Sequence, residues 1–379
     1  MINNSKQKIL YGAGGVGKMM FEYYTEKHQN SIYCFADTFK GGTTYCGKPV
    51  LTFEKFAVIQ NDYDVVICVL DSNEVIDILK KAGINKYTVW SDAILQDIDI
   101  DTDDNLQKAK KLVAFANNRA YSIIKQKNLS MLRPEEITLN YLLARYYFIG
   151  VGHIFDAGIC SGGCTESFIS GLLKNPNIDK IDKYIYAYEL AKYDNQYNTS
   201  YPRCIVDFVK RQYSETINYD GKDFSDLVRE NIAHLDGVER IKLFIGNIIE
   251  QEYPDDIEIM FLDVCKSPEL NFSMQKLYSR MIPGCSLLIH QDYIHPCLPY
   301  IKVTMGYLAE YFEYIGSTRI NSAVWLLKKK IPQEVLEINP YSFCFDEVLS
   351  LHNKWNYVFN EEQKAIIMES IKLIPEFNG

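Results

Sequence analysis

Histidines and acidic residues that could move a proton follow two short apolar runs in the second half of this chain. His290, Asp292 and His295 come after one run, and Asp263 ends the other. Histidine is the side chain best suited to accept a proton near neutral pH. Because the carboxyl ends of strands in open α/β sheets face the ligand crevice, we predict His290 or His295 as a general base beside Asp292. The alternative for each histidine is a surface or supporting role.

A glycine-rich turn upstream of these residues is typical of a cofactor loop. A short apolar run leads into Asp156, the turn contains Gly158 and Gly162, and a helical pattern begins near Thr165. Such a strand-to-helix turn directs the amides of a helix N-terminus at a ligand, and its glycines let the backbone approach closely. Asp156 could accept a hydrogen bond from an ammonium or hydroxyl group. The motif is weak by itself, because Cys160 stands at the middle glycine of the usual G-x-G-x-G pattern.

A second glycine-rich turn lies near the start of the chain. Gly12, Gly14 and Gly17 satisfy the dinucleotide pattern G-x-G-x-x-G, and Asp37 follows Gly12 by 25 residues, close to the spacing of a ribose-binding carboxylate. The same stretch satisfies G-x-x-x-x-G-K, but Met19 stands where a P-loop needs Ser or Thr to hold magnesium. We predict a bound nucleotide at these four residues. The alternative is that the glycines serve strand–helix packing.

Composition limits the classes of function. The net charge of −9 argues against a nucleic-acid partner or an anionic membrane surface. No apolar run approaches the roughly 20 residues of a membrane span, and the first residues lack a signal-peptide core. Ten cysteines are scattered without a C-x-x-C pair, which favours reduced thiols in a cytoplasmic protein.

The alternation of strand and helix patterns predicts an α/β chain with two Rossmann-like domains. The first has a small parallel sheet of four strands, and the second has a seven-stranded sheet that ends in an antiparallel hairpin with its turn at 319–322. Helices are predicted over Leu106 to Gln126 and Glu135 to Tyr147, and a polar, tyrosine-rich insertion follows Glu189. The predicted divisions are a small Rossmann-like domain at 1–95, an acidic linker with connecting helices at 96–150, the main domain at 151–330, and a helical tail at 331–379.

The main domain resembles the class I S-adenosylmethionine-dependent methyltransferases. The resemblance rests on six features in the expected order: the Asp156 to Gly163 loop, Glu189 after strand two, Asn247 after strand three, Leu262-Asp263 after strand four, Pro283-Gly284 before strand five, and the closing hairpin. It implies S-adenosylmethionine as cofactor, bound between Asp156 and Asp263, with its methionine part at the glycine loop. Glu189 would bind the ribose hydroxyls and Asn247 would lie beside the adenine, although Asn departs from the commoner Asp there.

Some bacterial sugar and macrolide O-methyltransferases of this kind hold magnesium with Asp after strand four and Asp-Asp-Tyr after strand five. Asp263 and Asp292 remain here as the ligands of any metal, and His290 and His295 could complete a mixed site with them. However, Gln291 replaces one Asp and Lys266 stands where a further carboxylate is expected. An ammonium beside a divalent cation is unfavourable, and an amide oxygen is a weaker ligand. We therefore favour a base that works without metal.

The first domain resembles the small Rossmann-like domain attached to sugar acyltransferases and to some bacterial methyltransferases. The resemblance is carried by Phe35-Ala36-Asp37 through Gly47-Lys48-Pro49-Val50. It implies O-methylation of a sugar, nucleotide-sugar or glycan hydroxyl, and it leaves a homo-oligomer open. The alternatives are a NAD-dependent oxidoreductase of a nucleotide-sugar that uses the Gly12 loop, and a non-catalytic nucleotide-binding module.

Overall fold

The computed structural model describes residues 6–27, 31–96, 98, 100, 104–117, 121–192 and 223–378, with side chains described as far as 374. The chain divides into two compact units, Met1–Asp99 and Ile100–Gly379. Most of the tyrosine-rich insertion predicted after Glu189 and part of the acidic linker lie outside the described residues.

The first unit contains a six-stranded sheet within the described ranges. Its strands are β1 Lys8–Tyr11, β2 Ile32–Ala36, β3 Thr44–Tyr45, β4 Lys48–Leu51, β5 Asp64–Ile67 and β6 Thr88–Val89, in the order β3-β4-β2-β1-β5-β6. Its helices are α1 Gly15–Lys27, α2 Phe53–Ile59, α3 Asn73–Lys81 and α4 Trp90–Leu95. The four predicted parallel strands are present as β2, β1, β5 and β6, and the sheet is extended beyond β2 by β4, which runs parallel to β2 and forms an antiparallel pair with β3. The turn of this pair contains Cys46 and Gly47, both with positive φ, as tight hairpins require.

The second unit contains the seven-stranded sheet that the sequence predicts. Its strands are β7 His153–Ala157, β8 Ile185–Glu189, β9 Ile241–Ile245, β10 Ile257–Leu262, β11 Leu287–His290, β12 Phe312–Ser317 and β13 Ala323–Leu327. Their order is β12-β13-β11-β10-β7-β8-β9, and β13 runs antiparallel to both β11 and β12. The fully buried β10 lies between β7 and β11. The methyltransferase-type sheet with a closing antiparallel hairpin is therefore confirmed.

Helices cover both faces of this sheet, as a doubly wound architecture requires. They are α5 Asn105–Asn117, α6 Pro134–Leu142, α7 Gly163–Leu172, α8 Ser225–Ala233, α9 Pro268–Lys276, α10 Pro299–Tyr307, α11 Gln333–Leu336, α12 Phe345–Asn353 and α13 Glu361–Glu369. Helices α9 and α10 are not among the predicted elements, although each begins with a proline, a typical first helical residue. None of the helices in the described ranges combines the length and the apolar character needed to cross a bilayer.

The helix predicted over Leu106 to Gln126 ends early, at Asn117. Further along, the amides of Lys127 and Asn128 donate to the carboxylate of Glu166 on α7, at 2.5 and 2.8 Å, instead of to a preceding helical turn. Within the predicted span the Ile123 amide donates to the hydroxyl of Thr138 on α6, at 3.3 Å, so tertiary hydrogen bonds replace helical ones near its end.

The segment after Lys330 contributes to the core of the second unit. Trp355 and Ile367 belong to the same buried cluster as Trp325 and Met260 in the sheet, and the Trp355 indole donates to the Met305 carbonyl at 2.8 Å. The C-terminal segment therefore packs against this sheet.

Candidate active site

The loops after neighbouring strands of the second sheet bring the predicted residues to one edge. Leu262 on β10 pairs with Ala157 on β7 and with His290 on β11, so these three strands end at the same level. The Asp263 amide then donates to the Ala157 carbonyl at 2.8 Å, and the Gln291 amide donates to the Leu262 carbonyl at 3.1 Å. The glycine loop and the acidic group, which consists of Asp263, Asp292 and the Lys266 between them, are thus direct neighbours at the carboxyl edge, where open α/β sheets bind ligands.

Close contacts explain the glycines of the loop after β7. Gly158 has φ +88°, and a Cβ there would lie 2.8 Å from the carbonyl oxygen of Asp263. Gly162 has φ +97° and precedes α7, and a Cβ there would meet Ile232 at 3.0 Å. Both positions thus need glycine for backbone conformation and for packing. Cofactor binding by Gly158 and Gly162 stays a prediction.

Asp156 is fully buried beneath this loop. Its Oδ2 accepts from the hydroxyl of Thr165 at 2.7 Å, whereas Oδ1 has no hydrogen-bond partner among the described residues. Burial raises the pKa of Asp156 to about 6, although hydrogen bonds from the Thr165 hydroxyl and the Cys164 thiol work in the opposite direction. A buried carboxylate oxygen without a partner is costly. It fits a site completed by a donor such as an ammonium group.

Glu189 ends β8 and connects two loops. Its Oε2 accepts from the Cys160 amide at 2.6 Å, and its Oε1 accepts from the Ala191 amide at 3.0 Å. Burial raises the pKa of Glu189 to about 7, while these amides lower it. Each carboxylate oxygen has a second lone pair, so the side chain can still accept from ribose hydroxyls.

Asn247 follows β9 and caps a short 3₁₀ turn. Its Oδ1 accepts from the Ile249 amide at 3.2 Å, and its amide nitrogen donates to Glu250 at 3.0 Å. The proposed contact with adenine stays a prediction, since the side chain already has this local role.

Lys266 forms the centre of the acidic group. Its Nζ lies 2.6 Å from Oδ1 of Asp263 and 2.6 Å from Oδ2 of Asp292, and the side chains are 39%, 25% and 21% exposed respectively. The two carboxylates raise the pKa of Lys266 although burial opposes them, so the amine stays charged. Burial acts to raise the pKa of Asp292, but the charge of Lys266 outweighs it and the pKa is lowered. The pKa of Asp263 is raised, because burial and the charge of Asp292 outweigh Lys266.

Backbone conformation marks the same edge. Among the described residues of the second unit, the non-glycine positions with positive φ are Cys160, Ala191 and Asp292, at 52°, 55° and 61°. Each lies in the loop that follows a strand of the sheet. Such conformations are disfavoured for most side chains and cluster at functional sites. They support the placement of the site here.

His290 lies in the core and not in the crevice. The side chain is fully buried, its Nε2 lies 3.1 Å from the hydroxyl of Tyr278, and its ring packs edge-on against Trp325. Burial, together with the charge of Lys266, lowers the pKa of His290 to about 3. An acceptor hydroxyl cannot reach a ring in this position without rearrangement, which argues against the predicted role as base.

His295 is half-buried, and its hydrogen bonding also limits proton transfer. Its Nδ1 accepts from the Cys297 amide at 3.1 Å, so the neutral ring carries its proton on Nε2 and presents a donor there. Burial lowers the pKa of His295, while Asp292 raises it. Asp292 is thus the predicted catalytic residue that the geometry favours most.

Glu136 on α6 contributes charge to this site and is not among the residues that the sequence motifs predict. This side chain is 1% exposed and accepts from Ser322 at 2.5 Å and Asn321 at 3.2 Å, in the turn of the closing hairpin. Its charge contributes to the raised pKa of Asp263. The proline that starts α6 and the acid two residues later were the available signals.

The residues at this edge do not fit a divalent metal. No cluster of three or more His, Cys, Asp or Glu side chains that could hold a metal occurs in the part of the chain described. The Lys266 ammonium, already 2.6 Å from both predicted ligands, stands between them and would repel a cation. No step in the chemistry is assigned to a metal.

In the first unit, Asp37 lies beside the Gly12 loop as predicted, but its oxygens accept from the amides of Ala13, Phe39 and Lys40, at 2.8, 2.9 and 3.1 Å. These amides and Lys40 outweigh burial and lower the pKa of Asp37. The acid therefore binds the protein's own loop.

The three glycines of that loop differ in their surroundings. A Cβ at Gly12 would lie 2.6 Å from the Cys68 carbonyl oxygen, and one at Gly17 would lie 2.0 Å from that of Gly12. At Gly14 nothing lies within 4 Å. Packing alone accounts for Gly12 and Gly17, whereas Gly14 leaves room for a ligand.

No protein-family model matches the chain, and no curated protein matches its sequence. Solved structures with a similar fold include the O-methyltransferase NovP, at 14% identity over 59% of this chain and 98% of NovP, with a TM-score of 0.39. The TDP-rhamnose 3'-O-methyltransferase CalS11 is 13% identical over 68% of this chain and 96% of its own, with a TM-score of 0.36. The methyltransferase FkbM from Methylobacillus flagellatus KT is 13% identical over 85% and 90%, with a TM-score of 0.24.

Proposed function

We propose that this chain is an S-adenosylmethionine-dependent methyltransferase that modifies a hydroxyl group of a sugar, nucleotide-sugar or glycan. The observation that carries the proposal is the adjacency of two groups at one sheet edge. The glycine loop above the partnerless oxygen of Asp156 is hydrogen-bonded, through Ala157, to the residue that begins the acidic group, Asp263. This adjacency supports a cofactor site beside a site for proton removal.

The cofactor supplies, when bound, a sulfonium methyl group that an oxygen nucleophile can accept. The chain's own residues would bind and orient it: Asp156 offers a buried acceptor for an ammonium, and Glu189 offers lone pairs for ribose hydroxyls beside the Cys160 amide. Because displacement at carbon needs an in-line approach, positioning is the main contribution of the protein.

An alcohol acceptor must lose its proton as the methyl group is transferred. We assign this proton to the pair Asp263 and Asp292 and not to a histidine, because the pair is partly exposed at the crevice and lies around one ammonium. Two carboxylates that share one cation titrate as a unit, so the assignment is to the pair. His295 remains the alternative base from the sequence.

The negative charge of this site favours an acceptor whose reacting group is uncharged. Two carboxylates around a single ammonium leave net negative charge, and buried Glu136 adds to it. A carboxylate or phosphate placed directly at this point would be repelled, whereas a sugar hydroxyl would find both donors and acceptors. Any phosphate of a nucleotide-sugar must therefore lie away from the reacting hydroxyl.

Calorimetry with the purified protein separates the proposal from its rivals. We expect binding of S-adenosylmethionine or its demethylated product and no binding of NAD. Heat with NAD alone would favour the oxidoreductase alternative. The absence of heat with S-adenosylmethionine at saturating concentration would refute the methyltransferase proposal.

A further inference from the structure

The Lys266 ammonium has a hydrogen-bonding pattern that differs from an ordinary surface ion pair. Two of its three N–H groups are used at 2.6 Å, on Asp263 and Asp292. The third is left with Oε1 of Gln291 at 3.5 Å, the outer limit of a hydrogen bond. This N–H group can therefore donate to a ligand oxygen while both short hydrogen bonds stay in place.

The three residues come from two loops that β10 and β11 hold at the same level. Asp263 and Lys266 follow β10, and Asp292 follows β11 with a positive φ of 61°. From this backbone conformation the carboxylate of Asp292 reaches the ammonium at 2.6 Å.

A divalent cation coordinated by Asp263 and Asp292 would occupy the space that the ammonium fills. Magnesium binds carboxylate oxygens at about 2.0–2.1 Å and requires near-octahedral geometry, so it cannot share the position with a charged nitrogen. The two carboxylates that could coordinate a metal therefore already have a cation of the chain itself, the Lys266 ammonium, between them.

We propose that Lys266 takes the place of a divalent metal as the permanent cation of this site. The inference rests on the proposed function, in which this edge holds the acceptor hydroxyl. A metal can chelate two neighbouring oxygens, whereas one free N–H group binds one. The site should therefore select its acceptor through a single hydroxyl and need no adjacent oxygen.

Metal binding tests this directly, with Mn²⁺ as the probe and calorimetry and electron paramagnetic resonance as readouts. Wild type should bind no Mn²⁺ at this edge. Lys266→Ala should gain one Mn²⁺ site, because two carboxylates are then left without a cation, and the double variant K266A/D292N should lose it again. Lys276→Ala, which removes an exposed lysine of α9, is the matched control and should gain no site.

A second variant guards against misfolding. Lys266→Gln keeps a side chain of similar length and adds an amide oxygen, so it should also gain Mn²⁺, whereas Lys266→Arg keeps the charge and should not. A Mn²⁺ site in wild type that Asp292→Asn removes would overturn the inference. So would folded K266A and K266Q proteins that gain no site.

The cofactor measurement keeps the two proposals apart. If wild type binds S-adenosylmethionine but K266A and K266Q gain no Mn²⁺, the methyltransferase proposal stands and the cation inference fails. If the variants gain Mn²⁺ while wild type binds no S-adenosylmethionine, the reverse holds.

Discussion

The carboxylate of Glu189 accepts a 2.6 Å hydrogen bond from the backbone amide of Cys160, which lies 29 positions earlier in the chain. Cys160 has a positive φ, as does Ala191, whose amide donates to the other oxygen of Glu189. One buried acid therefore holds two strained loops together at the predicted cofactor site. Glu189 therefore has two roles, binding the proposed cofactor and holding these two loops, and variants of Glu189 can distinguish them.

Glu189→Ala should weaken S-adenosylmethionine binding by about 100-fold or more, since each charge-assisted hydrogen bond is worth roughly 1.5–3 kcal/mol. Glu189→Gln should bind with intermediate affinity, because the amide oxygen can still accept from Cys160 while the charge is lost. Calorimetry measures both. Glu239→Ala, at an exposed acid before β9, is the control and should match wild type. Unchanged affinity in Glu189→Ala would remove Glu189 from the cofactor site.

Asp292→Asn should lower turnover by roughly 10²–10⁴-fold, the usual effect of removing a positioned proton acceptor, and leave S-adenosylmethionine affinity intact. His295→Gln should lower turnover by less than about tenfold, since Nδ1 is engaged with the Cys297 amide. Steady-state rates and pH–rate profiles provide the comparison. If His295→Gln instead removed a pH limb and most of the rate, the histidine would be the base and the carboxylate pair would not.

Chelator should leave methyl transfer by wild type unchanged, because the cation between Asp263 and Asp292 is the Lys266 ammonium. Acceptors with one isolated hydroxyl should react as well as those with two adjacent hydroxyls. Turnover is measured with and without chelator on matched methyl glycosides. Loss of activity with chelator, restored by magnesium, would show that a metal displaces the lysine in the working enzyme.

The positions of the parallel strands along the second unit could be predicted from the sequence because most of them are apolar runs that end in a polar residue. Asp156, Glu189, Asp263 and Asp292 were placed at one edge for this reason. The function of the histidines could not be read in the same way. Periodicity locates His290 at a strand end but does not say that its ring turns into the core against Trp325. Whether Lys266 opposes a metal or replaces it depends on distances of a few ångströms between two loops.

The Gly12 loop yields a prediction about stability as well as binding. Gly12→Ala and Gly17→Ala should destabilise the first unit, because a Cβ would collide with the carbonyl oxygens of Cys68 and Gly12. Gly14→Ala should be tolerated, since its surroundings are open. Thermal unfolding measures these effects.

If wild type binds a nucleotide, Gly14→Val should abolish that binding and leave S-adenosylmethionine affinity within about twofold, as expected for independent sites. Calorimetry with both ligands measures this. Nucleotide binding that survives in Gly14→Val, or is absent in wild type, would leave packing as the role of the loop.

Acid should destabilise the second unit through two buried histidines. Burial lowers the pKa of His290 to about 3 and that of His352 to about 4, from an ordinary value of 6.5. Between the ordinary and the lowered pKa the unfolded chain binds protons that the folded chain does not, so the free energy of unfolding falls as pH falls through this window. Each histidine contributes a slope of up to about 1.4 kcal/mol per pH unit.

Denaturant unfolding from pH 8 to pH 4 should therefore show a shallower acid slope for His352→Gln than for wild type, and a further decrease for the double variant with His290→Gln. Above about pH 7.5, where both rings are neutral in the folded and in the unfolded chain, the pH dependence of the three proteins should coincide. Parallel acid slopes in all three would show that these rings take up protons as readily in the folded protein as in the unfolded one, and the burial of His290 that argues against it as the base would have to be abandoned.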